Sequence, residues 1–409
     1  MQASTSHDAD HATEPLVVPA FALLFAMALD RPFTGLPPLP PGTTPLPADS
    51  LARWMAQLAN LESQFLGRAY VSARRLQRIP VGRIPLGESA RRAGANDADL
   101  YLLVHVSGIV VWEAWITAPE QPFDASGWIE WLDPDLPTAL PPRLWEALQP
   151  LTRALGGPAT YATHFPVWIL RARDTPLASL VDTHAEDIVR LLFLDRGQRR
   201  LKPALVDEEL ERDYCGREGG LTLLGRRSGL DLHGAEDIDD EASAGLPPKS
   251  VLPFLITVEQ LVIERTVLTR LHDRLSPALP GSIDTLLAVK QDVLDALEEY
   301  SGAITAANRF SDAVAADGER LLGITNLYDA VMDRLDAVSF AITQRYQIRM
   351  TLLQFWLTVV FGATEIGSIA AMIATWHYQA QLGAVLAWTV GTALTSGLAI
   401  VALLRGRLE

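Results

Sequence analysis

The sequence predicts an α+β cytosolic domain, then long antiparallel helices, then a C-terminal two-helix transmembrane hairpin. Three observations predict it. Two apolar runs close the chain, Thr351 to Trp376 with one acid (Glu365) and Leu382 to Leu404 with no charge. Each exceeds the roughly 20 residues that a helix needs to cross a bilayer. From Ser250 the apolar periodicity is wholly helical, and no proline follows Pro280. Before Ser250, short alternating segments with glycine-marked turns interleave with helical ones, as in a mixed sheet-and-helix domain. The expected division is a disordered tail over 1–15, an α/β domain over 16–249, a long-helix stalk over 250–349 and the hairpin over 350–409.

Met1 to Pro15 is polar and reads as an unstructured tail. Leu16 to Leu29 is apolar, but acids precede it where a secretion signal needs positive charge. It is short for a span and contains Pro19, so it reads as a buried strand ending in a turn at Asp30–Pro32; a membrane segment is the alternative. Pro32 to Pro47 is a proline-dense loop. Leu51 to Gln77 has helical spacing through Leu51, Trp54, Met55, Leu58, Leu61 and Phe65. Arg68, Arg74, Arg75, Arg78, Arg83, Arg91 and Arg92 then form a basic cluster in an acidic protein. It reads as a solvated face paired with nearby acids, or as a patch for a phosphate-bearing ligand or anionic headgroups, with Arg68, Arg74, Arg75 and Arg78 as its candidate residues.

Leu100 to Ile116 reads as a β-hairpin turning at Ser107–Gly108, across which His105 and Glu113 could meet, as a cross-strand polar pair rather than as a pair of metal ligands. Gln121 to Pro150 reads as loop and short helix, Tyr161 to Arg171 as a strand, and Leu177 to Phe193 as a helix. Asp182, His184, Glu186 and Asp187 sit in that helix, but no second histidine stands at i+3 or i+4, which argues against a metal site. Pro203 to Tyr214 reads as an acidic helix and Gly219 to Leu232 as a second hairpin. Glu236 to Glu241 is an acidic loop without the alternating ligands and fixed glycine of a calcium loop. Val251 to Leu275 reads as one helix, and Ile283 to about Ala307 as another. Gly318 and Gly323 mark a break. Ile324, Tyr328, Val331, Leu335, Val338 and Ile342 then keep a three-four spacing. Nothing separates that seam from the first apolar run, so one helix from Ile324 to Trp376, about 80 Å long at 1.5 Å per residue, is expected.

Arg345 and Arg349 precede the first run, Arg405 and Arg407 follow the second, and the connection holds no Lys or Arg. The positive-inside rule then places both termini in the cytoplasm, in an inner (plasma) membrane. Gln354, Thr358, Phe361, Glu365, Ser368, Met372 and Thr375 share one stripe of the first span. A mid-membrane carboxylate must face protein or water. The stripe therefore reads either as the lining of an ion path built by several copies, or as a helix seam with protonated Glu365 bonded to Thr392 or Ser396. The second span repeats small residues at Gly383, Ala387, Gly391, Thr395 and Ala399, which reads as close helix packing.

The net charge of −15 argues against nucleic acid as a partner. A single cysteine, Cys215, excludes an internal disulfide and suits a reducing compartment. No phosphate-cradling glycine loop, nucleophile elbow or zinc spacing is found. No catalytic residue, metal or cofactor is expected, and the chain reads as a non-enzyme.

In layout the chain resembles the CorA-like cation transporter superfamily: an N-terminal α/β domain, antiparallel helices, one long helix entering the membrane and a second short span. Where that family carries Gly-Met-Asn, this sequence has Ala371-Met372-Ile373. The resemblance implies a divergent homo-oligomer, a pentamer, whose long helices line a path for cations. The partners expected are membrane lipids, cations and further copies of the chain. The alternative function is a membrane-anchored receptor or effector whose cytosolic part binds a ligand or protein through the basic cluster.

Overall fold

The computed structural model describes residues 15–39, 43–46, 48–65, 75–86, 95–133, 139–158, 164–197, 199–236, 251–275, 309–377 and 382–405, with a few isolated positions between 284 and 294. The chain forms two compact units, one over 1–276 and 291–333, the other over 277–290 and 334–409.

The first unit is built on an eight-stranded sheet. Its strands are β1 (Leu16–Ala28), β2 (Leu76–Pro85), β3 (Asp97–His105), β4 (Ile109–Thr117), β5 (Gln121–Pro122), β6 (Phe165–Ala172), β7 (Gly220–Leu224) and β8 (Gly229–His233). Their order is β2-β3-β4-β1-β6-β8-β7, with β5 beside the start of β1. The Leu16 segment is therefore a central strand, as its unbroken apolar run demands, because only a strand covered on both faces can be apolar throughout. All pairings are antiparallel except β6 with β8. That parallel pair needs a crossover, which helices α4 (Leu177–Phe193) and α5 (Pro203–Leu210) supply.

Both faces of the sheet are covered. On one, Phe21, Phe25, Trp112 and Trp168 pack with α2 (Ala125–Leu132), α3 (Leu140–Leu155) and α4 in the main core. Trp112 Nε1 donates to Thr152 Oγ1 at 2.9 Å, so its one polar atom is satisfied in the apolar layer. On the other face, α6 (Leu252–Leu275) crosses β1 and β4 and packs against α1 (Ala48–Phe65) and α7 (Arg309–Leu321). The C-terminal part of α6 is tied to the β3–β4 turn by Arg270 Nη1 donating to Ser107 O at 2.9 Å.

Three expectations change here. The helix beginning near Leu51 ends at Phe65, and Leu76 and Gln77 belong to β2. Prolines 80 and 85 hide this strand from a sequence reading, but β2 is an edge strand, where a missing N–H costs no ladder bond. His105 lies opposite Leu76, and Glu113 lies opposite Tyr101, so the two do not meet. Gly318 stays inside α7; the break comes at Gly323, whose φ of +69° is a conformation glycine adopts without strain.

Helix α8 (Ile324–His377) is continuous for 54 residues. In the second unit it pairs with α9 (Leu382–Arg405), and both helices are long and apolar enough to cross a membrane.

Candidate functional site

Two candidate places stand out among the described residues, one in each unit. In the second unit the α8–α9 contact is made by small residues. A Cβ on Gly367 would lie 3.2 Å from Ala393 Cβ and 3.6 Å from Thr389 O, and one on Gly397 would lie 3.7 Å from Ala363 Cβ. The seam on α9 is thus Thr389, Ala393, Gly397 and Ile400. The predicted small-residue series Gly383, Ala387, Gly391, Thr395 and Ala399 is exposed. The two series are offset by two residues, about 200° around a helix of 3.6 residues per turn, so only one of them can face α8.

The stripe of Gln354, Thr358, Glu365, Ser368 and Thr375 is exposed throughout, on the side of α8 away from Val359, Gly367 and Ala374. Glu365 has no hydrogen-bond partner among the described residues, and the bond to Thr392 or Ser396 is not formed. Thr392 Oγ1 instead donates along its own helix to Trp388 O. The stripe's hydroxyls are likewise turned inward. Thr358 donates to Gln354 O at 2.8 Å, Ser368 to Thr364 O at 2.9 Å and Thr375 to Ala371 O at 2.7 Å. With their hydrogens engaged, these oxygens can present only lone pairs outward.

In the first unit, Arg78 is a correction to the basic patch. It is 8% exposed and surrounded by carboxylates from three further elements: Glu62 of α1, Glu113 of β4 and Glu259 of α6. Nη1 donates to Glu113 Oε2 and Nη2 to Glu259 Oε2, while Nε and Nη2 each lie 3.3 Å from Glu62 Oε1. Trp115 Nε1 donates to the other oxygen of Glu113. Burial works against the Arg78 charge, but Glu113, Glu259 and Glu62 restore it and hold its pKa above the usual value. The acids move the same way for the opposite reason. Burial raises Glu62, Glu113 and Glu259, and the pull of Arg78 only partly offsets it. Of the other patch residues, Arg75 is half-buried and Arg83 pairs with Asp99 at 2.6 Å. Arg68 and Arg74 lie outside the described residues. The receptor reading therefore loses Arg78 from its binding surface.

His184 sits at a kink in α4 (φ −120°, ψ 20°), 3.7 Å from Asp187 and with its ring centroid 4.6 Å from that of Phe123. Among the described residues no group of three or more His, Cys, Asp or Glu side chains is placed to hold a metal ion. Of the acidic loop, Glu236 accepts from Leu177 N at 3.1 Å; 237–241 lie outside the described residues.

No protein-family model, curated protein or solved structure matches this chain.

Sequence reasoning missed the Arg78 cluster. The signal was there: Glu113 stands between Trp112 and Trp115 in an otherwise apolar strand, and Glu259 interrupts the apolar start of α6. An isolated charge in a segment apolar on both faces needs a buried partner.

Proposed function

We propose that the chain is an integral membrane protein of an inner (plasma) membrane that assembles in several copies into a cation path. Five copies are expected from the CorA-like layout. The path is lined by Gln354, Thr358, Glu365, Ser368 and Thr375, with the sheet-bearing part and both termini on the cytoplasmic side. The reading is supported by the exposure of Glu365 near the middle of α8's apolar segment, on the side away from α9. A carboxylate there facing acyl chains costs about 2.5–3.5 kcal/mol on insertion scales. A second copy covering that face, with water between, removes the penalty. A ring of acids so formed attracts cations, and the neighbouring hydroxyl and amide oxygens supply further acceptors.

The test is ion flux in liposomes reconstituted with the full chain. Glu365→Gln keeps the shape and removes the charge. It should lower cation flux about tenfold or more, the scale on which focused charge concentrates counter-ions. Equal flux in the two proteins, or none in the unmodified one, would overturn the reading.

A further inference from the structure

Four side chains meet in the layer between α6 and the sheet, and their charges do not balance. Arg78 brings one positive charge; Glu62, Glu113 and Glu259 bring three carboxyl groups. Glu113 and Glu259 are 0% and 1% exposed. Both bond the same guanidinium, Glu113 at Nη1 and Glu259 at Nη2 of Arg78. One guanidinium cannot neutralise all the carboxylates buried around it, and a proton on one of them reduces the excess charge. The geometry says which. Both oxygens of Glu113 already accept, one from Arg78 and one from Trp115. Glu259 accepts from Arg78 through Oε2 only, and no donor among the described residues reaches its Oε1. That oxygen is the one free to carry the hydrogen.

We propose that Glu259 is the protonated acid of this cluster, and that its proton lets α6 seat on the sheet beside Glu113, making the seat of α6 a pH-responsive site. The groups around it are Arg78 on β2, Glu62 on α1, Glu113 on β4 with Trp115 beside it, and Tyr101 on β3 opposite Glu113. On its own helix Glu259 is followed by Gln260 and Glu264, which bond to each other at 3.2 Å; Glu319 of α7 acts on Glu264. No second cation is present among these groups to substitute for the proton. Burial raises the Glu259 acid well above its ordinary value, against Arg78 and with Glu113. The folded chain therefore binds this proton in a range where the unfolded chain has lost it. The stability it gives is complete below the unfolded value of 4.5 and is lost as pH rises through the folded value.

The experiment compares the full chain in detergent with its Glu259→Gln variant, whose amide donates as the protonated acid does but never titrates. From about pH 5 to about pH 9, the folding equilibrium of the unmodified protein should fall relative to the variant by about tenfold per pH unit until the folded value is passed. Infrared spectra should show the carbonyl stretch of a protonated carboxyl at neutral pH in the unmodified protein and in Glu264→Gln. The band should be missing from Glu259→Gln to the extent that Glu264 does not contribute. Parallel stability curves, or no such band in Glu264→Gln, would overturn the proposal. The second measurement stands even if Glu259→Gln fails to fold.

Discussion

At the scale of single residues, the sheet-bearing unit is held by charges that oppose one another. Arg78 stabilises the fold only as the partner of its three glutamates. Replacing it with methionine would leave buried carboxylates without a cation, which costs about 3–5 kcal/mol when one side of a buried pair is removed. Arg78→Met should therefore lower the denaturation midpoint more than Arg83→Met, whose lost pair is 39% exposed on the arginine side. Histidine acts at the other end of the pH scale. Burial, with Arg75 nearby, lowers His105 to about 4 from 6.5. The unfolded chain takes up that proton first, so stability is present above pH 6.5 and is lost as pH falls toward 4. At 1.36 kcal/mol per unit the loss is about 3 kcal/mol. His105→Gln should flatten this acid limb in thermal melts from about pH 7 to about pH 4, and an unchanged limb would remove His105 as its source. These residues were only half legible in the sequence. Glu113 and Glu259 stand out as charges in apolar surroundings, but their partners come from β2 and α1, and sequence spacing does not show which strands pair.

At the scale of elements, the sequence was clear wherever a pattern was continuous and ambiguous wherever two patterns competed. Leu177–Phe193, Leu252–Leu275 and Ile324–His377 follow their apolar spacing closely. Strand β2 was obscured by its prolines, and the face of α9 that packs was obscured by a second small-residue series. Periodicity identifies stripes; it does not say which stripe is covered. The pair Gly367 and Gly391 separates the two. Gly367→Leu pushes a side chain into Ala393 and Thr389, and such overpacking costs about 1–3 kcal/mol. Gly391 has nothing within 4 Å, so Gly391→Leu should change hairpin stability by less than about 0.5 kcal/mol. Unfolding of the monomeric hairpin in mixed detergent measures both. Equal effects would mean that the α8–α9 seam is misassigned.

For the whole molecule, the order of parts was legible because it depends on composition over long windows. A run of charge-free residues longer than a bilayer is thick needs no tertiary information to be recognised. The arrangement of strands was not legible: β1 comes first in the chain yet lies between β4 and β6, and no local signal records that choice. The membrane reading makes one further demand, on topology. With arginines before α8's apolar segment and after α9, and none between, the connection should lie outside the cytoplasm. Cys215 is the single cysteine, so a Cys215→Ser background gives a clean reporter. In that background a cysteine placed by Gln381→Cys should react with a membrane-impermeant thiol reagent in intact cells. One placed by Arg407→Cys should react only after the cells are permeabilised. Labelling of both in intact cells would mean that α8 and α9 do not form a hairpin across the membrane, and the ion path around Glu365 would fall with it.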